Sequence, residues 1–195
     1  MIESNNHRHF VLYKPDGYLS MFIYNQNKRR NKKLLGELFN FPAGTMAIGR
    51  LDEASEGLLL LTTVGDTSEF IRSSEVEKEY FVQVDGIIDQ EAIEKLKSGV
   101  EIRTGKGLYS TIPCKVSKLS DTPDLPAQRN KHRDDRHGPT SWISITLTEG
   151  KNRQVRKMTA VVGFPTLRLV RVRIGNVLLK KLKPGDVIEV EQFDV

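Results

Sequence analysis

The stretch from Ile48 to Thr63, IGRLDEASEGLLLLTT, constrains this chain more than any other. Its second half, Gly57 to Thr62, has the length and the leading glycine of a strand, and it is too apolar to be anything but buried. Asp52 falls at the tip of the arginine-containing turn that feeds this strand, and side chains at strand ends are held more rigidly than those on free loops. A carboxylate would stand there on a rigid edge beside Arg50, which makes Asp52 the first candidate for chemistry. Taken alone, the same turn fits an ordinary Asp that caps backbone donors, with Arg50 as a surface partner.

With 195 residues and 38% hydrophobic content, the chain can fill one core but not several, so a single domain over residues 1–195 is expected. One cysteine, Cys114, excludes an intramolecular disulfide, and no apolar run approaches the ~20 residues that cross a bilayer. The first residues, MIESNNHRHF, lack the pattern of a secretion signal. The expected setting is the reducing cytoplasm, with no membrane partner.

The formal charge of +5 matters less than where the charge lies. From Lys151 to Gly185 there are ten Lys and Arg residues and no Asp or Glu. Lys28 to Lys33 (KRRNKK) and Arg129 to Arg136 (RNKHRDDR) form two further clusters that read as mobile basic loops, while Asp52 to Glu101 is acidic. A solvated cationic face explains one such run. Three runs are better explained by a polyanion, because phosphates that bind them release counterions.

Along the chain, His9 to Tyr13 reads as a short strand and KPDG, Lys14 to Gly17, as a turn. Lys33 to Phe39 has the spacing of a brief helix. Thr45 to Ile48 and Gly57 to Thr62 read as strands, and Asp66 to Arg72 as a helix capped by Asp66. Lys78 to Asp85 is strand-like, and Asp89 to Leu96 is an amphipathic helix with an Asp cap. Pro113 to Leu119 alternates, and 120–140 loses all periodicity, as a long exposed basic loop would. Ser141 to Thr148 alternates again. A helix burying Val155, Met158 and Val162 follows, stopped by Gly163 and Pro165, and strands at 166–174 and 186–192 complete the pattern. Strands outnumber helices and often adjoin in sequence, which predicts an α+β fold on a largely antiparallel mixed sheet with flanking helices.

Two more segments carry candidate chemistry. In EGKNRQVRKM, Glu149 to Met158, helical spacing sets Arg153 beside Arg156 and Lys157, away from Val155 and Met158, and a helix amino end favours anions. A merely solvated basic face fits that segment equally well. Tyr80 would offer a flat ring to a base or fill the core, and Lys78, two residues earlier, shares its sheet face. No HExxH or CxxC spacing supports a metal site, and neither a dinucleotide loop nor a GxSxG turn occurs. Metal independence is expected.

GRLD with SEGLLLLT, the K-x-Y of Lys78 and Tyr80, NRQVRKM from Asn152 to Met158, and the opening KPDG together resemble the RsuA class of ribosomal-RNA pseudouridine synthases, over roughly His9 to Val190. Within it the chain looks like the short large-subunit enzymes of the RluE type, beginning at the catalytic domain without the small amino-terminal RNA-binding domain of many relatives. The resemblance implies the family's catalytic fold with a central RNA-binding cleft. It also implies a cofactor-free isomerisation in which uracil is detached from ribose, turned, and rejoined through C5. By the same matching, Asp52 is the essential carboxylate, Tyr80 stacks on the base, Arg156 pairs with Asp52, and Arg50 fills the space of the extruded nucleotide. Lys78, Arg153, Gln154 and Lys157 complete the expected RNA-binding set, with ribosomal RNA as partner and a monomer as the acting form. Thr63 and Val64 depart from the Asn-Asp pair common in relatives. Two rivals stand beside this reading: a silent RNA-binding protein on the same fold, and a glycosidic-bond hydrolase using Glu53 or Glu56 as a second acid.

Overall fold

The strand that closes on Asp52 also splits the core in two. In the computed structural model, which describes residues 7–24, 31–73, 75–128 and 137–195, every residue of the strand Glu56–Thr62 is buried. Successive side chains of a strand point to opposite faces. Leu58 and Leu60 accordingly pack with Val11, Tyr13, Ile71 and Val170, while Leu59 and Leu61 pack with Phe10, Leu12 and Leu35. An unbroken apolar run is what a strand covered on both faces requires.

The elements, in order, begin with β1 (His9–Lys14), β2 (Tyr18–Leu19), β3 (Lys33–Leu34), β4 (Met46–Ala47), β5 (Glu56–Thr62) and α1 (Gly65–Arg72). They continue with β6 (Lys78–Asp85), α2 (Gln90–Ser98), β7 (Glu101–Thr104), β8 (Gly107–Ser110), β9 (Lys115–Lys118) and β10 (Thr140–Leu147). Last come α3 (Gln154–Val161), β11 (Thr166–Ile174), β12 (Val177–Leu178) and β13 (Val187–Val190). The main sheet runs β13-β1-β5-β11-β6-β10-β9, with β4 added on β5 and β12 on β11. The fold is α+β with a largely antiparallel sheet, as the spacing of the strands predicts.

One seam within that sheet is parallel. β5 and β11 meet only at Val170 opposite Glu56 and Arg171 opposite Gly57. Gly57 has φ +102°, and a Cβ there would lie 2.8 Å from Arg171 N and still closer to Arg171 O. Only glycine admits this approach. To one side of the seam, β6, β10 and β11 pack with α2 and α3 through Val82, Ile143, Ile145, Leu96, Val155 and Met158. On the other side lie the two clusters divided by β5.

Three local expectations differ from the structure. Lys33 to Phe39 holds only a short 3-10 turn, Leu35–Glu37, because Lys33–Leu34 pair with Tyr18–Leu19 and Leu35 is drawn into the core. Asp66 does not cap α1; the helix begins one residue earlier, after Val64, leaving Asp66 in the first turn. The 120–140 segment is not wholly exposed: Leu125 packs against the core, and the carbonyl of Pro126 accepts from Arg168 Nη2 at 2.7 Å. The Arg129 to Arg136 cluster lies outside the described residues, as does the first half of Lys28 to Lys33, residues 28–30. Asp89, by contrast, caps α2, its side chain accepting from Ala92 N at 2.8 Å.

Candidate active site

A cleft of about 250 Å³ opens over the seam. The turn before β5 supplies Arg50, Asp52 and Ser55; β6 supplies Lys78 and Tyr80; β11 supplies Leu169 and Arg171; the segment leading into α3 supplies Lys151, Arg153 and Gln154. The structure thus brings together six of the residues expected from sequence: Arg50, Asp52, Lys78, Tyr80, Arg153 and Gln154. Arg156 and Lys157, on α3, fall outside the lining.

The turn bearing Asp52 is held from below. Ser20 Oγ both donates to the carbonyl of Leu51, at 2.8 Å, and accepts from Leu51 N, at 2.9 Å. Lys14, wholly buried at the end of β1, sends its ammonium to the carbonyls of Pro15 and Ser55 at 2.8 and 2.7 Å, and more weakly to Glu53. Burial pushes that amine down to about 8, against the pull of Asp16, Glu56 and Asp52. From above, Arg156 Nη2 donates to the carbonyl of Ala54 at 2.7 Å and to Ser55 Oγ at 3.3 Å. Asp52, with its side chain about a quarter exposed, therefore sits on a backbone loop fixed by two cations and a hydroxyl.

The cation that faces the Asp52 carboxylate is Arg153, with Nη1 to Oδ2 at 3.5 Å, rather than the expected Arg156. Arg153 precedes α3 in the left-handed conformation, φ 54°, uncommon for a residue with a side chain and typical of functional turns. Its turn is braced by Gln154, which accepts from Lys151 N at 2.8 Å and donates to Glu149 at 2.6 Å. Gln154 is thus buried and engaged with protein rather than open to a ligand. Arg156 is close enough to feel both charges: burial and Arg153 press its pKa down, while Asp52 and Asp16 raise it.

The platform side follows the pleat. Lys78 and Tyr80 share a face of β6, and both border the cleft. Tyr80 also packs against the core, so the two readings of its ring are one geometry. Lys78 donates to the carbonyl of Ser73 at 3.0 Å, and its pKa falls to about 8 through burial first and the nearby charge of Arg171 second.

Sequence reasoning passed over Lys14, read only as part of a turn, and Arg171, read only as one of a basic run. Lys14 did carry a signal, since it closes a strand whose residues Phe10 to Leu12 are apolar. Arg171 carried none without the register that sets it across from Tyr80.

Over the parallel seam of a mixed sheet, the cleft sets a carboxylate, an aromatic plate and several cations together, a lining suited to a stacked base and its phosphates. The model of the RNA pseudouridylate synthase family matches residues 8–161, and the chain belongs to that family. It is 38% identical over 192 residues to ribosomal large subunit pseudouridine synthase E of Vibrio parahaemolyticus, covering 97% of this chain and 76% of that protein. With the same-named protein of Xanthomonas axonopodis pv. citri it shares 41% identity, covering 89% of each chain. Among solved structures, one described as a pseudouridylate synthase superposes with a TM-score of 0.73 at 25% identity, over 94% of this chain and 70% of that one.

Proposed function

We propose that this chain converts a uridine of large-subunit ribosomal RNA into pseudouridine, with Asp52 as the reactive carboxylate. The observation that carries the reading is the placement of Asp52 on a clamped turn in the cleft that also holds Tyr80 and Arg153. Fixing the reacting group before the substrate arrives removes much of the entropy cost of the step.

The reaction starts by extruding the uridine from its stack, at a cost of a few kcal/mol that stacking on Tyr80 and phosphate contacts offset. Arg50, Lys78 and Arg153 supply those contacts in the cleft, which Arg72 and Lys151 also line, and Lys157 adds one from α3 outside the lining. Asp52 then acts at the ribose, by adding to the anomeric carbon or by taking a sugar proton. The N1–C1′ bond breaks, uracil turns while held, and C5 joins C1′. The change is an isomerisation with no net redox, so its balance calls for no cofactor. Gln154 serves as a brace for Arg153, and Arg156 as a clamp on the Asp52 turn. The protein acts as a monomer in the cytoplasm. Among the described residues, no helix is long and apolar enough to cross a membrane.

The state of the other carboxylates speaks against the hydrolase alternative, which needs a second acid in the cleft. Glu53 is paired with Lys32, and Glu56 is buried between Tyr13 and Arg168. Glu149 receives hydrogen bonds from Tyr109, Ile112 and Gln154. The decisive comparison is wild type against Asp52→Asn on ribosomal RNA, with pseudouridine mapping and RNA affinity measured together. The variant is expected to form no pseudouridine while binding within a few-fold of wild type. Equal product from both would remove Asp52 from the chemistry, and free uracil from wild type would favour hydrolysis.

A further inference from the structure

Arg171 is buried on the cleft wall with its charge unanswered. Only 5% of the residue is exposed, its Nε donates to the carbonyl of Leu58 at 2.7 Å, and its Nη2 is buried without any partner. No carboxylate among the described residues pairs with it. Burying a guanidinium with one nitrogen unsatisfied costs free energy, so its retention beside a cleft calls for a compensating use.

Register places that charge. Arg171 lies directly opposite Tyr80 in the antiparallel β6–β11 pair, and opposed residues of such a pair project from the same face. Lys78 is two residues from Tyr80 on that face and borders the same cleft. Burial first and the charge of Arg171 second lower the Lys78 pKa, in keeping with two cations on one cleft wall. The carboxylates of the cleft are committed elsewhere, Asp52 toward Arg153 and Glu149 to its three donors. The wall beside the Tyr80 ring is therefore cationic.

We propose that Arg171, seconded by Lys78, stabilises the negative charge that gathers on the uracil ring when its bond to ribose breaks. The inference rests on the isomerase reading. When N1–C1′ breaks, both electrons stay with the ring, and uracil departs as an anion with charge spread over N1, O2 and O4. C5 then supplies the electron pair of the new C5–C1′ bond. The C5 proton leaves and N1 takes up a proton, so atoms and charge balance without an outside reagent. A base stacked on Tyr80 would carry that charge next to the cationic wall. Because Nη2 sits behind the surface, Arg171 acts as a fixed charge across a low-dielectric gap, set in place before reaction.

The test uses the full chain in single turnover on a ribosomal RNA fragment carrying either uridine or 5-fluorouridine at the target. Fluorine withdraws electrons and makes uracil a better leaving anion, so it substitutes for lost cationic help. Loss of the N-glycosidic nucleoside is followed in both cases. Arg171→Met is expected to slow uridine by about 10²-fold, as loss of a preorganised electrostatic group does, and fluorouridine by no more than about tenfold. Arg171→Lys should recover most of the rate, and RNA affinity should stay within a few-fold. Lys78→Met, at the cleft surface, should show the same uridine-selective slowing more weakly, read at saturating RNA because Lys78 also contributes to binding, and covers the case in which Arg171→Met fails to fold. Equal slowing of both nucleosides, or none, in Lys78→Met and in whichever Arg171 variant stays folded overturns the inference. Wild-type protein that makes no pseudouridine overturns instead the reading beneath it.

Discussion

Arg156 Nη2 lies 2.7 Å from the carbonyl oxygen of Ala54, so this guanidinium grips the backbone of the turn that carries Asp52 and not its carboxylate. The carboxylate faces Arg153 instead. Two arginines of one short segment thus divide the work: one sets where the turn lies, the other sets the charge before it.

That division gives the first prediction. Arg156→Ala frees the carbonyl of Ala54 and lets Asp52 drift, and a displacement of about 1 Å at a reacting group costs on the order of 10²-fold in rate. Arg156 does not border the cleft, so RNA affinity should move little. The expected result is a kcat loss with a nearly unchanged Kd. A fall in affinity that accounts for the whole loss of kcat/KM would show that Arg156 binds RNA and does not hold the turn.

The second prediction concerns Gly57. Its φ of +102° and the backbone of Arg171, whose N lies 2.8 Å from where a methyl group would stand, leave no room for alanine. Gly57→Ala must part β5 from β11 at the floor of the cleft, and is expected to cost more than about 2 kcal/mol in urea denaturation. Gly65→Ala is the control, because Gly65 begins α1 and meets nothing within 4 Å. It should be neutral or stabilising by about 0.5–1 kcal/mol. Equal effects at the two positions would contradict the close approach at the seam.

Arg156 and Arg171 mark how far sequence reasoning reaches. β1, β5, β6, β10 and α2 were legible because their signals are local: alternation, β-branched content, the Asp89 cap. Asp52, Tyr80 and Arg153 were legible because each stands in a short motif that resembles a family. What escaped depends on contacts between distant segments. The partner of Arg156 is set by where a turn 102 positions away comes to rest. The role of Arg171 depends on meeting a carbonyl 113 positions away and on its register with β6. Lys33 to Phe39 failed for the same kind of reason, since pairing with Tyr18–Leu19 overrode its helical spacing.

The third prediction is a pH dependence centred on Lys14. Burial lowers its pKa to about 8 in the folded chain, below the 10.5 of an exposed lysine. Below pH 8 the amine is charged in both states, and the cost of keeping that charge buried is fully present. Between about 8 and 10.5 the unfolded chain binds the proton and the folded chain does not, so stability rises with pH across this window. Lys14→Met has no such group. The stability of wild type relative to Lys14→Met should therefore increase from about pH 7 to about pH 10 in urea denaturation. Two curves that stay parallel over that range would mean that the ammonium suffers no burial cost where it lies.

The fourth prediction separates binding from chemistry on α3. Arg153 is exposed and borders the cleft, 3.5 Å from Asp52, whereas Lys157 lies one turn along, outside the lining. Each lysine or arginine that neutralises a phosphate adds about one unit to the slope of log affinity against log salt. Lys157→Glu should weaken RNA binding and flatten that slope by about one unit or more, with single-turnover rate at saturating RNA within a few-fold of wild type. Arg153→Glu should flatten it similarly and also slow the saturated reaction, because a second carboxylate beside Asp52 destabilises the ionised form that the chemistry uses. The two variants thus differ in the saturated rate alone. If neither changes the salt slope, the RNA backbone does not run along this face.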